Sequence, residues 1–201
     1  MGNHVSSSGE DQILRLDGEH IMLREFIAED LDRFHSLTWQ PEIHSYLPGW
    51  NVSKDTRKEW LLQYEIPETK RFLQAVKQKE DVGELRLRLG IILKETGELI
   101  GWCCSGIKDE LPWPNREIMY AVSKDHRGRG YAAQAAQAMI RYLFDQADVE
   151  ALCAVALVRN LPSNRVLEKC GFDFQGKLEI EQDEYNSYVL RRSNGERAMT
   201  E

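Results

Sequence analysis

The stretch Lys124–Met139, KDHRGRGYAAQAAQAM, joins a short basic turn directly to an alanine-rich helical pattern. Gly128 and Gly130 alternate with arginines in the turn, and helix-favouring residues follow at once. The first N–H groups of a helix have no intrahelical partner and lie at the positive end of the helix dipole. Glycines remove the Cβ atoms that would keep a phosphate away from those groups. The stretch therefore fits two interpretations equally: a binding site for an anion and an ordinary basic surface turn.

Two known phosphate-binding patterns can be compared with this turn. The Walker pattern G-x-x-x-x-G-K-[ST] does not occur in the chain. Gly128, Gly130 and Ala133 do satisfy the dinucleotide fingerprint G-x-G-x-x-[GA], and Glu150 follows downstream. That fingerprint turns straight off its strand, whereas five residues separate Val122, where the preceding strand pattern ends, from Gly128. A dinucleotide-binding protein is therefore a remote alternative.

Outward from this stretch, strand and helix patterns alternate along the chain without a linker or repeat. Strand patterns occur at His20–Phe26, in a hairpin over Leu85–Ile107 with Gly97 in its turn, at Arg116–Val122, at Ala151–Val158 and in two runs within Phe172–Arg192. Helical patterns occur at Ala28–Trp39, from Ser53 to Tyr64, after Pro67, at about Gly130–Gln146 and at about Pro162–Cys170. These patterns predict an α+β fold with a mixed, mostly antiparallel sheet of six to seven strands and helices on both faces.

Length and charge limit the domain count and the class of partner. A chain of 201 residues is long enough for one large domain. We expect a flexible N-terminal tail over 1–19, one domain over 20–192 and a C-terminal tail over 193–201. A net charge of −7 argues against nucleic acid and favours a cationic substrate such as an amine. The start MGNHVS matches an N-myristoylation pattern at Gly2, but no basic cluster follows. Without a long apolar run, we expect a cytoplasmic protein with no membrane partner.

The cysteines have neither CxxC spacing nor zinc-site spacing, so we expect no metal site. Cys103 and Cys104 are adjacent in an apolar run, and we expect the cysteines to be buried free thiols. The four are Cys103, Cys104, Cys153 and Cys170.

Two motifs in the chain resemble those of the GNAT N-acetyltransferase superfamily. Arg127–Ala132, RGRGYA, matches the signature [QR]-x-x-G-x-[GA]. Asn160–Phe172, NLPSNRVLEKCGF, is similar to the segment N-x-x-S-x-[KR]-x-x-E-[KR]-x-G-F, especially in the ribosomal-protein N-acetyltransferase-like (RimJ/RimL-type) branch. The opening IMLREFIAEDLDRFHSL also resembles that branch, and the resemblance covers about His20–Arg191.

The resemblance implies the GNAT fold and acetyl-CoA as the cofactor. In this family the loop holds the pyrophosphate, and a splayed strand pairs with the pantetheine arm by strand augmentation. An asparagine in the second motif contacts that arm, although Asn160 would also serve as a helix N-cap. The implied cofactor-binding residues are Tyr120, Ala121, Val122, Arg127, Gly128, Arg129, Gly130, Tyr131, Ala132, Ala133, Asn160 and Asn164.

The resemblance also implies catalytic residues for acyl transfer to an amine. Glu117 is placed as the base that removes the amine proton, although a strand glutamate is also a common solvent-facing residue. Ser163 is placed as the group that assists the leaving thiolate, although capping of a helix is an equal alternative. The backbone N–H of Val122 is a candidate oxyanion donor. We expect direct attack in a ternary complex, because no cysteine lies in a nucleophile motif.

The acceptor is left open by the sequence. Trp50 and Trp113 are candidates to bind it, and packing anchors are the alternative for both. A protein N-terminal amine, a small amine and an amino sugar all fit, and the enzyme is expected as a monomer or homodimer. A non-catalytic acetyl-CoA-binding regulator is the alternative from another functional class.

Overall fold

Eight strands form one sheet in the order β1-β2-β3-β4-β5-β6-β8-β7 in the computed structural model, which describes residues 13–193. All neighbouring strands are antiparallel except β5 and β6, which are parallel and joined through a helix. The strands are β1 Arg15–Asp17, β2 Ile21–Glu25, β3 Leu87–Leu93, β4 Leu99–Ile107, β5 Arg116–Val122, β6 Ala151–Leu157, β7 Asp173–Ile180 and β8 Asp183–Arg191. The mixed, mostly antiparallel α+β sheet predicted from the sequence is confirmed, with one more strand than the six to seven expected.

The additional strand lies inside the segment that the sequence assigns to a tail over 1–19. Arg15–Asp17 pairs with Met22–Arg24 across a tight turn, in which the N–H of Gly18 donates to the carbonyl of Ile21 at 2.8 Å. Three residues are too few to show an alternating pattern, and this strand forms because β2 offers it an edge. Gly2 and the proposed C-terminal tail from 194 onwards lie outside the described residues.

Six α-helices surround the sheet within residues 13–193. They are α1 Leu31–Thr38, α2 Pro41–His44, α3 Lys54–Glu59, α4 Ile66–Gln78, α5 Tyr131–Asp145 and α6 Leu161–Lys169. Helix α3 follows Ser53, where the predicted helical pattern begins, and the Ser53 hydroxyl caps it by accepting from the N–H of Thr56 at 3.1 Å. The helix predicted to start after Pro67 starts at Ile66, and a π-helical stretch, Trp60–Glu65, joins α3 to it without a loop. The wider π-helical turn lies just before Pro67. Because the nitrogen of Pro67 carries no proton, it cannot donate the usual intrahelical hydrogen bond.

Two hydrophobic cores lie on opposite faces of the sheet, which confirms the predicted helices on both faces. On one face α4 and α5 cover the sheet, and Phe72 and Met139 are fully buried there. On the other face α1 packs against β4, and the Phe34 and Trp102 rings meet edge to face at 5.3 Å. Truncating such a buried side chain to alanine costs about 2–5 kcal/mol.

The four cysteines are free thiols, as the sequence predicts, and burial raises the pKa of Cys104 and of Cys153 to about 12. Neither thiol is therefore a ready nucleophile near neutral pH. Among residues 13–193, no helix is long and apolar enough to cross a bilayer.

Candidate active site

A cleft opens in the sheet where β5 and β6 separate. The two strands share a single paired position, Glu117 with Cys153, whereas β5 remains paired with β4 as far as Val122. The N–H of Ser123 donates to the carbonyl of Ile100, on the β4 side, at 2.7 Å. Because backbone groups alternate in direction along a strand, those of Tyr120 and Val122 point into the cleft. An extended ligand with amide groups can pair with them as an added strand.

The same alternation corrects one predicted cofactor contact. The backbone of Ala121 points to β4, and a Cβ built on Gly101 would lie only 2.1 Å from its carbonyl oxygen. The side chain of Ala121 is buried in the core on the α1 face. Ala121 therefore supports the cleft from behind and has no polar group that faces it.

The basic turn of Arg127–Gly130 leads from β5 into the N-terminus of α5. Gly128 and Gly130 adopt φ angles of +74° and +77°, a region that residues with a Cβ rarely enter. The N–H of Gln134 donates to the carbonyl of Gly130 at 3.1 Å, so the three amides before Gln134, at Tyr131–Ala133, lack an intrahelical partner. A Cβ built on either glycine meets no atom within 4 Å, so the approach to these amides is open. The turn therefore has the geometry of an anion site.

The two arginines of the turn have different surroundings. The Arg127 guanidinium donates to the carbonyl of Glu42, and its Nε donates to the carbonyl of Val122 at 3.4 Å. Arg127 thus ties α2 to the end of β5. The Arg129 side chain is exposed and makes no hydrogen bond or ion pair within residues 13–193. Of the two, Arg129 is the cation that is available to an anion in the turn.

The second motif forms the N-terminus of α6 on the other wall of the cleft. The Asn160 side chain caps this helix, because its Oδ1 accepts from the N–H of Ser163 at 3.3 Å. Its amide nitrogen is not required for that role.

Asn164 is a structural residue, which corrects its prediction as a cofactor contact. Its Nδ2 donates to the carbonyls of Leu157 at 3.1 Å and Asn160 at 2.8 Å. Its Oδ1 accepts from Asn186 at 2.8 Å and from the Tyr188 hydroxyl at 2.7 Å. These four bonds use the full capacity of an amide side chain, so none remains for a ligand.

Ser163 lies beside the hydroxyl of Tyr120 at the cleft. The Tyr120 Oη is 3.2 Å from the Ser163 Oγ and 3.1 Å from the Ser163 carbonyl oxygen. Burial raises the pKa of the Tyr120 phenol, and the hydrogen bond to Ser163 offsets part of that rise. The sequence predicts only a backbone role for Tyr120. No local signal indicates the side-chain contact, because it joins residues that are 43 positions apart.

Glu117 lies on the opposite face of β5, in a cavity of about 90 Å³ that Trp50 and Met119 also line. Burial raises the pKa of its carboxyl to about 6. The nearby Lys108 lowers this pKa, Glu110 raises it, and a hydrogen bond from the backbone of Val155 lowers it. A carboxyl with a pKa near 6 is ionised at neutral pH and is still a stronger base than an ordinary glutamate.

The two tryptophans predicted to bind the acceptor are not brought together. Trp50 lines the Glu117 cavity and stacks on Trp102, with ring centroids 5.0 Å apart. Trp113 is 66% exposed, lies over the Arg191 guanidinium at 5.3 Å and borders a different cavity, beside the start of β6. The loop before β5 carries Trp113 past the base of the sheet, so only Trp50 accompanies Glu117.

A family model described as an acetyltransferase (GNAT) domain matches residues 20–173. The chain belongs to the GNAT acetyltransferase family. It is therefore an acyltransferase, and acetyl-CoA is its co-substrate.

Relatives of this GNAT acetyltransferase agree with that assignment. The uncharacterized N-acetyltransferase p20 of Bacillus licheniformis is 28% identical over 160 residues, covering 80% of this chain and 83% of the relative. The solved structure of RimL, a ribosomal L7/L12 alpha-N-protein acetyltransferase in complex with coenzyme A, aligns with a TM-score of 0.70 at 17% identity, over 90% of this chain and 98% of RimL. The aminoglycoside acetyltransferase AAC(6')-Ib with coenzyme A aligns with a TM-score of 0.66 at 20% identity, over 90% and 99%. The resemblance to the RimJ/RimL-type branch is thus confirmed at the level of the fold.

The residues of the acetyltransferase fit acetyl-CoA as a ligand. The open space at Gly128 and Gly130, next to the unpartnered amides of α5, suits a pyrophosphate there. The backbone of Tyr120 and the N–H of Val122, which are not paired with β6, continue from that point along the cleft, which suits an extended arm with amide groups. Arg129 would add a full positive charge next to the phosphates.

Proposed function

We propose that this acetyltransferase transfers the acetyl group directly to a primary amine in a ternary complex. The observation that carries the proposal is the arrangement of two proton-transfer groups around one cleft. Glu117, with a pKa of about 6, lies on the α1 side of β5, and Ser163, with Tyr120, lies on the α6 side. Acetyl-CoA, when bound, supplies an acetyl group activated as a thioester.

Glu117 acts as the base in this proposal. An amine arrives at neutral pH mostly as an ammonium, which cannot attack until it loses a proton. The Glu117 carboxylate accepts a hydrogen bond from the backbone N–H of Val155. It takes the proton of the amine in the cavity of about 90 Å³ that Trp50 also lines. The N–H of Val122 points into the cleft, where it can donate to an oxygen that gains negative charge.

Ser163 acts as the proton donor on the other side of the cleft. Its hydroxyl can pass a proton to the leaving thiolate and regain one from water, while it accepts a hydrogen bond from the Tyr120 hydroxyl, 3.2 Å away. Tyr120 is thus a positioning residue for Ser163. The raised pKa of its phenol keeps the proton on Tyr120 at neutral pH.

A thiol-release assay over a panel of amines tests the proposal. The panel contains peptides with N-terminal Ser, Ala and Met, small free amines and an amino sugar. Initial rates at varied concentrations of both substrates should give intersecting double-reciprocal lines, as a ternary complex requires. Parallel lines would indicate an acyl-enzyme and refute direct transfer. Tight binding of acetyl-CoA without thiol release from any amine would favour the non-catalytic regulator.

A further inference from the structure

Two cationic side chains approach Glu117 across the sheet on the α1 face. Arg86 precedes β3 and lies opposite Gly106 of β4, which is paired with Glu117 of β5. Because Gly106 has no side chain, Arg86 lies flat across β4, and a Cβ at Gly106 would be only 2.7 Å from its Cγ. Neighbouring strands are about 4.8 Å apart, so the Arg86 and Glu117 backbones are roughly 10 Å apart.

The next position along the sheet repeats this arrangement. Arg88 of β3 is paired with Cys104 of β4, and Cys104 is paired with Met119 of β5. Arg86, Arg88 and Glu117 therefore project from the same face, and all three line the cavity of about 90 Å³.

The charges of the two arginines are balanced differently. Arg88 donates to Glu68 at 2.6 Å, so its charge already has a partner. Arg86 makes no ion pair and no side-chain hydrogen bond within the part of the chain that the structure describes, and its charge acts on Glu117, whose pKa it lowers. A planar guanidinium at the rim of the cavity is suited to a carboxylate, which it can bind through two parallel hydrogen bonds.

The size of the cavity also restricts the acceptor. Pockets that enclose a drug-sized ligand measure roughly 300–1,000 Å³. The Glu117 cavity, at about 90 Å³, has room for the reacting end of an acceptor. A polycationic amino sugar would bring further ammonium groups next to Arg86, where like charges repel.

We propose that the acceptor is a primary amine with a carboxylate close to the amino group, its amine directed to Glu117 and its carboxylate to Arg86. The inference rests on the proposed acetyl transfer and names the acceptor class for that site. The carboxylate can come from a free α-amino acid or from an acidic side chain next to a peptide N-terminus.

Matched acceptor pairs test the carboxylate requirement. The probes are methionine with methioninamide, phenylalanine with phenylalaninamide, and the peptides Ser-Asp-Ala-amide with Ser-Lys-Ala-amide; kanamycin serves as the polycation. Each acid should exceed its partner by at least about tenfold in kcat/KM, and this ratio should fall as salt is added. For the first two pairs, intrinsic reactivity favours the amide, because an amino acid amide has more of its amine in the neutral form. A preference for the acid would therefore come from the enzyme. The first two pairs test free amino acids and the third tests peptides.

Variants of Arg86 test whether this side chain provides the preference. Arg86→Gln should reduce the acid-to-amide ratio to near one, and Arg86→Glu should reverse it. Arg71→Gln, on the exposed face of α4, is the matched control and should keep the wild-type ratio. Calorimetry gives a readout without turnover: with coenzyme A present, N-acetylmethionine should bind at least about tenfold more weakly to Arg86→Gln than to the control.

The outcomes separate this proposal from the proposed function. Equal or faster turnover of the amides or of kanamycin, unchanged by Arg86→Gln, would overturn the acceptor class and leave acetyl transfer intact. If no probe releases thiol, the calorimetric experiment decides, and N-acetylmethionine binding that does not depend on Arg86 would overturn the acceptor class. Two other results would refute the proposed function itself: parallel double-reciprocal lines, or binding of acetyl-CoA without thiol release in the presence of any amine.

Discussion

Replacement of Glu117 by glutamine removes an ionisable group and keeps nearly the same shape. In the folded enzyme, burial raises the pKa of this carboxyl from 4.5 to about 6. Below pH 6 the carboxyl holds a proton and cannot accept one from the amine. The wild-type kcat/KM should therefore rise with pH through a midpoint near 6. Glu117→Gln should lose this limb and fall about 10²–10⁴-fold in kcat/KM at pH 7.5.

The same substitution should increase stability at alkaline pH. Because the folded-state pKa is higher than the unfolded one, the stability that the protonated carboxyl contributes is complete below about pH 4.5 and is lost as pH rises through about 6. The shift corresponds to at most about 2 kcal/mol at pH 8. Removal of this cost should raise the melting temperature of Glu117→Gln by up to roughly 4–8 °C at pH 8. The difference from wild type should shrink towards pH 4.5.

Thermal melts and initial rates on one set of samples between pH 5 and 9 provide the assay. Glu59→Gln, at an exposed position of α3, is the control for loss of a surface carboxylate and should match wild type in both measurements. A raised melting temperature with unchanged turnover would show that Glu117 is buried but is not the base. An unchanged melting temperature at pH 8 would refute the burial argument itself.

Three further substitutions test the rest of the site. Gly130→Glu should abolish acetyl-CoA binding by calorimetry, whereas Gly97→Glu, which has an equally positive φ in a hairpin turn, should bind normally; equal affinity in both would refute the loop assignment. Tyr120→Phe should lower kcat about tenfold or more with little change in the KM for acetyl-CoA, and an unchanged kcat across pH would show that Ser163 acts without it. Asn164→Ala should lower the free energy of unfolding by roughly 2–4 kcal/mol in urea melts but keep acetyl-CoA affinity in the folded fraction, since its four hydrogen bonds are all internal.

Much of the fold could be predicted because the sequence patterns are strong and local. The Ala151–Leu157 run is continuously apolar, as expected of a strand that both faces bury. The helical pattern at about Pro162–Cys170 corresponds to α6, and Gly171, at a φ of +86°, follows its end as glycines commonly do. The π-helical stretch before Pro67 could not be predicted, since packing of Leu61 and Phe72 keeps the helix continuous and overrides the proline signal.

Site residues that belong to a local motif could be predicted from the sequence. Contacts between residues that are far apart in the chain could not. Gly128 and Gly130 indicate a turn with positive φ angles, although the turn alone leaves an anion site and a basic surface turn equally open. Asn160 and Asn164 look alike in one motif, and only the distant Tyr188 shows that Asn164 is saturated. Arg86 gives no sequence signal at all, since its position near Glu117 depends on strand register.

The seam between β5 and β6 divides the enzyme into two successive pieces of chain. Strands β1–β5 come from residues up to 122, and β6–β8 begin at residue 151. Trp50, Arg86 and Glu117 lie on the first piece, and Ser163 lies on the second. In the proposed mechanism the acceptor site therefore lies mainly on the first piece, and the leaving-group serine lies on the second, where Tyr120 of the first piece positions it. On this proposal, a chimera that receives its C-terminal piece from a relative should keep its acceptor preference and change the residue that assists the departing thiol.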